Sequence, residues 1–189
     1  ITVLHLFANA NGIASVHGSN VTGLSRATPW VRHTWMRSLE MPSHRATWKC
    51  DVVHRGKGEG ALIGGNLALV HAMAAAGQFH FPDGAILVLE DTTEKPYRVD
   101  RMLTSLRSGG YLARASAIVF GEFTECSPNV DGRTVSEVIA DCTRGSGVPV
   151  VSGAPFGHGV LNEAFILGKR ASLAEDGSST SNSRSDISD

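Results

Sequence analysis

One short apolar run constrains the fold more than any other part of the sequence. Residues 85–89 are all apolar, and the run ends in two adjacent carboxylates, Glu90 and Asp91. A run of this length is typical of a strand that is covered on both faces, as in a parallel sheet flanked by helices. The carboxylates would then lie beyond the carboxyl end of a strand, where α/β proteins gather their functional groups.

Helical and strand patterns alternate on both sides of this run. A helix is predicted after Asn66, a good N-cap residue, and a second over residues 99–106, where apolar side chains recur at i, i+3, i+4 and i+7. Strand patterns at residues 117–120 and 148–151 enclose a helical pattern at residues 135–142. This alternation predicts an α/β fold with a mostly parallel sheet and flanking helices.

Composition excludes several classes of function. The 17 Lys and Arg residues balance 18 Asp and Glu without a long run of one sign, so nucleic acid is not an expected partner. Three cysteines without a CxxC pair and eight histidines without ligand spacing predict no metal site, and we expect no cofactor. The odd number and wide spacing of the cysteines favour a reducing cytoplasm. No apolar run reaches the roughly 18 to 20 residues that cross a bilayer, so we expect no membrane partner.

Three stretches lack a clear repeating pattern. Residues 1–7 are typical of the middle of a packed helix or strand, so we expect the chain to begin partway through a protein. Residues 20–60 are polar, hold all three tryptophans, and are predicted to form loops and short helices around a cleft. Residues 175–189 are dominated by Ser, Asp, Gly and Asn, a composition typical of a disordered tail.

Two residues are candidates for catalysis. His158 stands between two glycines after a predicted strand, which would expose its imidazole on a loop as a general base. Glu90, at the end of another strand, could orient such an imidazole. The alternatives are a solvated loop histidine and, for Glu90, an ion pair with Lys95, Arg98 or Arg101.

Two other residue types receive a structural interpretation. None of the serines lies in a Gly-x-Ser-x-Gly elbow, and Ser152, the nearest imitation, is followed by residues that do not start a helix. His17 is expected to be a buried histidine with a backbone partner rather than a ligand. The residues alone therefore predict an acid and a base without a nucleophile.

Five short motifs, taken in order, resemble those of the LD-carboxypeptidase family, which includes murein tetrapeptide carboxypeptidases and microcin-immunity peptidases. The resemblance runs from Ile1 to about Leu173, and Ser19 departs from it because the family usually has proline there. The motifs are His-Gly at 17–18, Gly-Gly-Asn-Leu at 64–67, Ile-Leu-Val-Leu-Glu-Asp at 86–91, Pro-Tyr-Arg-Val-Asp-Arg-Met-Leu at 96–103 and Gly-His-Gly at 157–159.

The resemblance implies a Ser-His-Glu triad, in which serine attacks the scissile carbonyl, histidine moves the proton and glutamate orients the histidine. Glu90 and His158 match the last two members. The family's serine lies in a Gly-Tyr-Ser-Asp elbow, which we expect just upstream of Ile1, so this chain alone would be inactive. The residues expected to bind substrate are Gly64, Gly65 and Asn66.

The resemblance also implies a domain organisation and a substrate. Residues 1–20 would be a remnant of an N-terminal domain and linker, residues 21–173 the C-terminal catalytic domain, and residues 174–189 the tail. The expected reaction removes a terminal D-amino acid such as D-alanine from a murein-derived peptide in cell-wall recycling, and the family's habit implies a homodimer. The alternatives are a microcin-immunity peptidase acting on peptidyl-nucleotides, with tryptophans stacking on the base, and a non-catalytic peptide-binding module.

Overall fold

The computed structural model describes residues 1–41 and 46–181. No helix within these ranges is long and apolar enough to cross a membrane. The helices are α1 (Thr2–Ala10), α2 (Val21–Arg26), α3 (Pro29–Glu40), α4 (Leu67–Ala75), α5 (Pro96–Ser108), α6 (Tyr111–Arg114) and α7 (Val135–Thr143). The strands are β1 (Ser15–His17), β2 (Thr47–Lys49), β3 (Asp51–His54), β4 (Gly58–Asn66), β5 (Ile86–Thr92), β6 (Ala117–Thr124), β7 (Val150–Ser152), β8 (Phe165–Leu167), β9 (Arg170–Leu173) and β10 (Ser178–Ser181).

An eight-stranded sheet in the order β2-β10-β9-β4-β5-β6-β7-β3 organises the molecule, and β1 and β8 form a separate two-stranded sheet. The four central strands, β4 to β7, are parallel, as predicted, because helices connect them. The outer strands pair antiparallel, since short turns such as the one between β9 and β10 reverse the chain. The α/β class is confirmed, and the sheet is mixed rather than parallel at its two sides.

The apolar run of β5 forms the centre of this sheet. Ile86, Leu87, Val88 and Leu89 are all fully buried, because the strand is covered on both faces. Leu87 and Leu89 belong to the core beneath α4, α5 and α7, whereas Ile86 and Val88 belong to a second core that contains Trp48. This alternation follows from the two-residue period of a strand. The run therefore determines where Glu90 lies, near the carboxyl end of β5.

Two stretches are more ordered than the sequence predicts. Residues 20–60 contain the 12-residue helix α3, which Thr28 caps through the Val31 amide; residues 42–45 of this stretch lie outside the described part of the chain. Ser178–Ser181, predicted to be disordered, form β10 between β2 and β9. Polar residues can form this strand because its backbone bonds both neighbours, and the rest of the tail, residues 182–189, is not described.

The first elements pack on the body of the domain. Leu6 of α1 is buried in the main core, and Thr2 is only 2% exposed beneath the end of β4. The strand β1 pairs with β8, so His17 lies opposite Phe165. These contacts bring the start of α1 and the end of β1 to the carboxyl edge of the central strands. The proposed domain boundary at residue 20 stays a prediction.

Candidate active site

Two side chains from distant parts of the sequence form a hydrogen-bonded pair at the carboxyl edge of the sheet. Glu90 lies near the end of β5 with its side chain 2% exposed, and His158 lies in the loop after β7 with its side chain 53% exposed. The Nδ1 atom of His158 is 2.8 Å from Oε2 of Glu90. The structure thus brings together the two predicted catalytic residues, with the acid buried and the base facing outwards.

The loop that carries His158 crosses the end of β6 to reach Glu90, because β6 lies between β5 and β7. Backbone hydrogen bonds hold it there: the Ala154 amide donates to Phe120, and the Phe156 carbonyl accepts from Glu122. A Cβ atom at position 121 would collide with the Phe156 carbonyl, so glycine permits this crossing. A tight loop over β6 therefore sets the position of the imidazole.

The surroundings of Glu90 shift the pKa of its carboxyl in both directions. Burial raises the pKa of the Glu90 carboxyl above its ordinary value, whereas the hydrogen bond and charge of His158 lower it. Within residues 1–41 and 46–181, Glu90 has no ion pair with Lys95, Arg98 or Arg101, and Arg98 instead lies 3.6 Å from Glu94. The structure therefore favours an acid that orients the imidazole over the ion-pair alternative.

Asp91, the neighbour of Glu90, has a different set of partners. One of its oxygens accepts from Asn66 Nδ2 at 2.8 Å and from the Thr92 amide at 2.8 Å, and the other accepts from the Ala68 amide at 3.0 Å. The backbone amide of Asn66 in turn donates to Oγ1 of Thr2 at 3.1 Å. Asp91 therefore ties β5 to the beginnings of α4 and α1. The separate partners of residues 90 and 91 agree with the alternation of side chains along a strand, which predicts opposite directions for neighbouring residues.

The three residues predicted to bind substrate have different environments. Asn66 caps α4 through the Leu69 amide and lines a cavity beside Glu90. Gly64 and Gly65 are buried where other parts of the chain approach closely: a Cβ atom at position 65 would lie 2.8 Å from Thr2 Oγ1. Both glycines also have positive φ angles, 146° and 137°. In the structure, the two glycines allow α1 and β5 to approach β4 closely. Binding of substrate by Gly64, Gly65 and Asn66 stays a prediction.

The cavity beside the Glu90–His158 pair has a volume of about 950 Å³. Its walls come from the start of α1, the segment from β1 to α3, the start of α4 and the loop that holds His158. Trp35 of α3 is part of this wall, whereas Trp48 is buried in the second core and Trp30 is 56% exposed. The predicted cleft therefore exists, and one of the three tryptophans contributes to it.

Two histidines near the start of the chain line the same cavity. His5 of α1 lies 2.9 Å from Oγ of Ser15, which joins α1 to β1. His17 is buried, as expected, but its Nδ1 atom has no hydrogen-bond partner in the described part of the chain. The expectation of a backbone partner is therefore wrong for that nitrogen. Residues 1–41 and 46–181 contain no group of three or more His, Cys, Asp or Glu side chains that could hold a metal ion.

Comparison with known proteins places this geometry in a family. Residues 59–173, more than half of the chain, match the model of the LD-carboxypeptidase C-terminal domain. A murein tetrapeptide carboxypeptidase of Pseudomonas aeruginosa is 33% identical over 184 residues, which cover 92% of this chain. The chain spans 60% of the length of that relative.

Solved structures show the same fold. Muramoyltetrapeptide carboxypeptidase from Oxalobacter formigenes matches with a TM-score of 0.84 and 26% identity over 96% of this chain and 66% of its own. The microcin C7 self-immunity protein MccF matches with a TM-score of 0.77 and 19% identity over 99% of this chain and 66% of its own. The family match and the shared fold agree with the motif series of the sequence, and the chain belongs to the LD-carboxypeptidase family.

Proposed function

We propose that the whole protein is a serine-type LD-carboxypeptidase in which Glu90 and His158 are the acid and the base of a Ser-His-Glu triad. The 2.8 Å contact between Nδ1 of His158 and the buried Glu90 carboxylate carries this proposal. The contact fixes the orientation of the imidazole and stabilises the imidazolium that forms when serine is deprotonated. With Nδ1 engaged, Nε2 is the nitrogen that takes the proton from serine and returns it to the leaving amine.

The proposed nucleophile is a serine in the strand-to-helix turn that enters α1. The first two residues, Ile1 and Thr2, line the cavity that contains His158, so a side chain on this turn would enter the same space. Free amides at the start of α1 could also donate to the oxyanion of a tetrahedral intermediate. Residues 1–189 contain no serine at this turn, and we expect them to be inactive without it.

The proposed substrate is a murein-derived peptide with a terminal D-amino acid such as D-alanine. Relatives named murein tetrapeptide and muramoyltetrapeptide carboxypeptidase support this choice. A cavity of about 950 Å³ is large enough for a short peptide, and Arg26 in its wall offers a cation for a peptide carboxylate. A role in cell-wall recycling in the cytoplasm, as a homodimer, belongs to the same proposal.

A peptidase acting on peptidyl-nucleotides is the second candidate, and the placement of Trp35 favours it. An aromatic ring in the wall of the cavity can stack on a nucleobase. The structure of MccF with aspartyl sulfamoyl adenosine shows that this protein, which has a similar fold, binds such a ligand. Cleavage of that conjugate at a higher kcat/KM than the murein tetrapeptide would select this candidate.

Release of D-alanine from a murein tetrapeptide tests the proposal. The experiment uses the protein extended upstream to include the serine turn, beside Glu90→Gln and His158→Ala. We expect each variant to lose on the order of 10³- to 10⁴-fold in kcat. The exposed residues Glu59 and His33 supply matched controls, Glu59→Gln and His33→Ala, which should keep full activity.

Two outcomes would reject this function. Activity that persists in both variants would show that the pair is not catalytic. Binding of the tetrapeptide without release of D-alanine by the extended protein would favour a non-catalytic peptide-binding module, because such a module needs the cavity and not the triad.

A further inference from the structure

His17 occupies an aromatic environment at the end of β1. Its ring stacks on Phe165, with the centroids 5.0 Å apart and the planes at 30°, and meets the edge of Phe156 at 5.9 Å. The side chain also lines the cavity that contains Glu90 and His158, although the residue is only 6% exposed. The ring is therefore fixed by packing in the wall of the proposed active site.

One nitrogen of this ring, Nδ1, is not used by the described part of the chain. Nδ1 is enclosed and has no hydrogen-bond partner among residues 1–41 and 46–181. The nearest titratable ring, His5, is 5.8 Å away between centroids and already bonds Ser15. An unpartnered polar atom in a buried position costs stability, and a phenylalanine would stack on Phe165 without that cost. Packing alone therefore does not account for an imidazole here.

The imidazole of His17 is also held neutral. Burial, together with the charges of the neighbouring His5 and His158, lowers the pKa of His17 to about 3. A neutral ring does not compete with His158 as the base, and it does not repel the imidazolium that forms at His158. It still carries one N–H donor and one nitrogen acceptor. Such a group suits recognition of an uncharged or anionic polar group at neutral pH.

We propose that His17 is a substrate-binding residue, whose imidazole completes its hydrogen bonding with a carbonyl, amide or carboxylate group of the bound peptide. This inference rests on the proposed peptidase function and extends it by one binding residue. A half-turn of the ring about its Cβ–Cγ bond exchanges the two edges of the ring and keeps the ring plane, so it preserves the stack on Phe165. The ligand is a peptide, since the group sits beside the pair that would act on the scissile bond.

The test compares His17→Phe and His17→Gln in the upstream-extended protein, with His33→Phe as a control at an exposed histidine. We expect His17→Phe to keep or raise the melting temperature and to raise KM for the murein tetrapeptide about tenfold, with kcat within about threefold of the parent. The pH–rate profile should keep its midpoints, because His17 does not titrate near neutrality. His17→Gln restores a neutral hydrogen-bonding group and should recover part of the loss in KM.

Binding gives a second readout that does not depend on turnover. In a His158→Ala background, calorimetry with the intact tetrapeptide should show about tenfold weaker binding after His17→Phe. Unchanged KM and Kd in His17→Phe would overturn the proposal and show that His17 serves only in packing. A KM that stays high in His17→Gln, at the melting temperature of the parent, would overturn it as well. If Glu90→Gln and His158→Ala are as active as the parent, the peptidase mechanism fails, while calorimetry still decides the role of His17.

Discussion

The end of β5 presents two buried carboxylates, one on each face of the sheet, and their surroundings differ. Glu90 is 2% exposed, and its Oε2 atom lies 2.8 Å from Nδ1 of the half-exposed His158 on a loop. Asp91 is 3% exposed and accepts hydrogen bonds from two backbone amides and from Asn66, all fixed to regular elements. The same chemical group is thus held by a titratable partner on one face and by permanent donors on the other.

This difference shows that two adjacent carboxylates can have separate roles, one in the reaction and one in the stability of the fold. A carboxylate with fixed donors stabilises the elements that donate to it, here α4 and, through Asn66, α1. A carboxylate whose partner can gain and lose a proton responds to chemistry at that partner. Glu90 should therefore control turnover with little effect on folding, and Asp91 should do the opposite.

The largest expected effect is on turnover. Glu90→Gln in the extended protein should reduce kcat by on the order of 10³- to 10⁴-fold, because a neutral amide no longer stabilises the imidazolium of His158. Its melting temperature should stay within a few degrees of the parent, since no buried charge is left behind. A variant that loses much of its melting temperature but keeps its activity would contradict the comparison.

The second effect is on stability. Asp91→Asn should lower the free energy of unfolding by roughly 2 to 4 kcal/mol, because the amide nitrogen cannot accept from one of the amides that Asp91 now bonds. Urea denaturation measures this loss. Equal stability of Asp91→Asn and Glu90→Gln would show that the two carboxylates are equivalent in the fold.

The third effect is a dependence of stability on pH that arises at Glu90. Because burial raises the folded-state pKa of Glu90 above its ordinary value of 4.5, its contribution to stability is greatest below pH 4.5. That contribution is lost as the pH rises through the folded-state pKa. Subtracting the unfolding free energy of Glu90→Gln from that of the parent at each pH should give a difference that falls over this interval; a difference that rises would reverse the sign of the shift.

The smallest effect concerns a carboxylate outside both environments. Glu94 forms a 3.6 Å ion pair with Arg98, whose side chain is 58% exposed. Arg98→Ala should change the free energy of unfolding by less than about 1 kcal/mol, because the guanidinium is mostly exposed and 3.6 Å is too long for a hydrogen bond to Glu94. Urea denaturation at low and high salt checks this, and a loss equal to that of Asp91→Asn would contradict the argument from burial.

The sequence predicted those parts of the fold that depend on local pattern. The apolar run of β5, the N-cap of α4 and the helical spacing of α5 are visible in single segments, and each element forms where predicted. Glu90 and His158 could be chosen because each comes at or after the predicted carboxyl end of a strand, although β5 extends past Glu90 to Thr92. The strand β10 could not be predicted, since its serines and threonines are held by pairing with β2 and β9, which lie far away in sequence.

The site itself was only partly predictable for the same reason. The Glu90–His158 contact depends on a loop that crosses β6, and the unpartnered nitrogen of His17 depends on rings from two other segments. Neither feature has a period or a spacing. Gly64 and Gly65 are the opposite case, since their motif is evident in the sequence. The structure shows that these glycines permit the close approach of Val88 and Thr2, which the motif alone does not reveal.

The loop crossing at Phe156 couples the proposed base to the interior of the domain. Phe156 is fully buried, packs against Trp48 and Phe165, and directly precedes Gly157 and His158. The position of the imidazole therefore depends on the packing of the rings of Phe156, Trp48 and Phe165, which take no part in the reaction. A designer who wishes to move this base by a fraction of an ångström would have to redesign the second core rather than the loop, and chance substitutions there would alter catalysis and packing together.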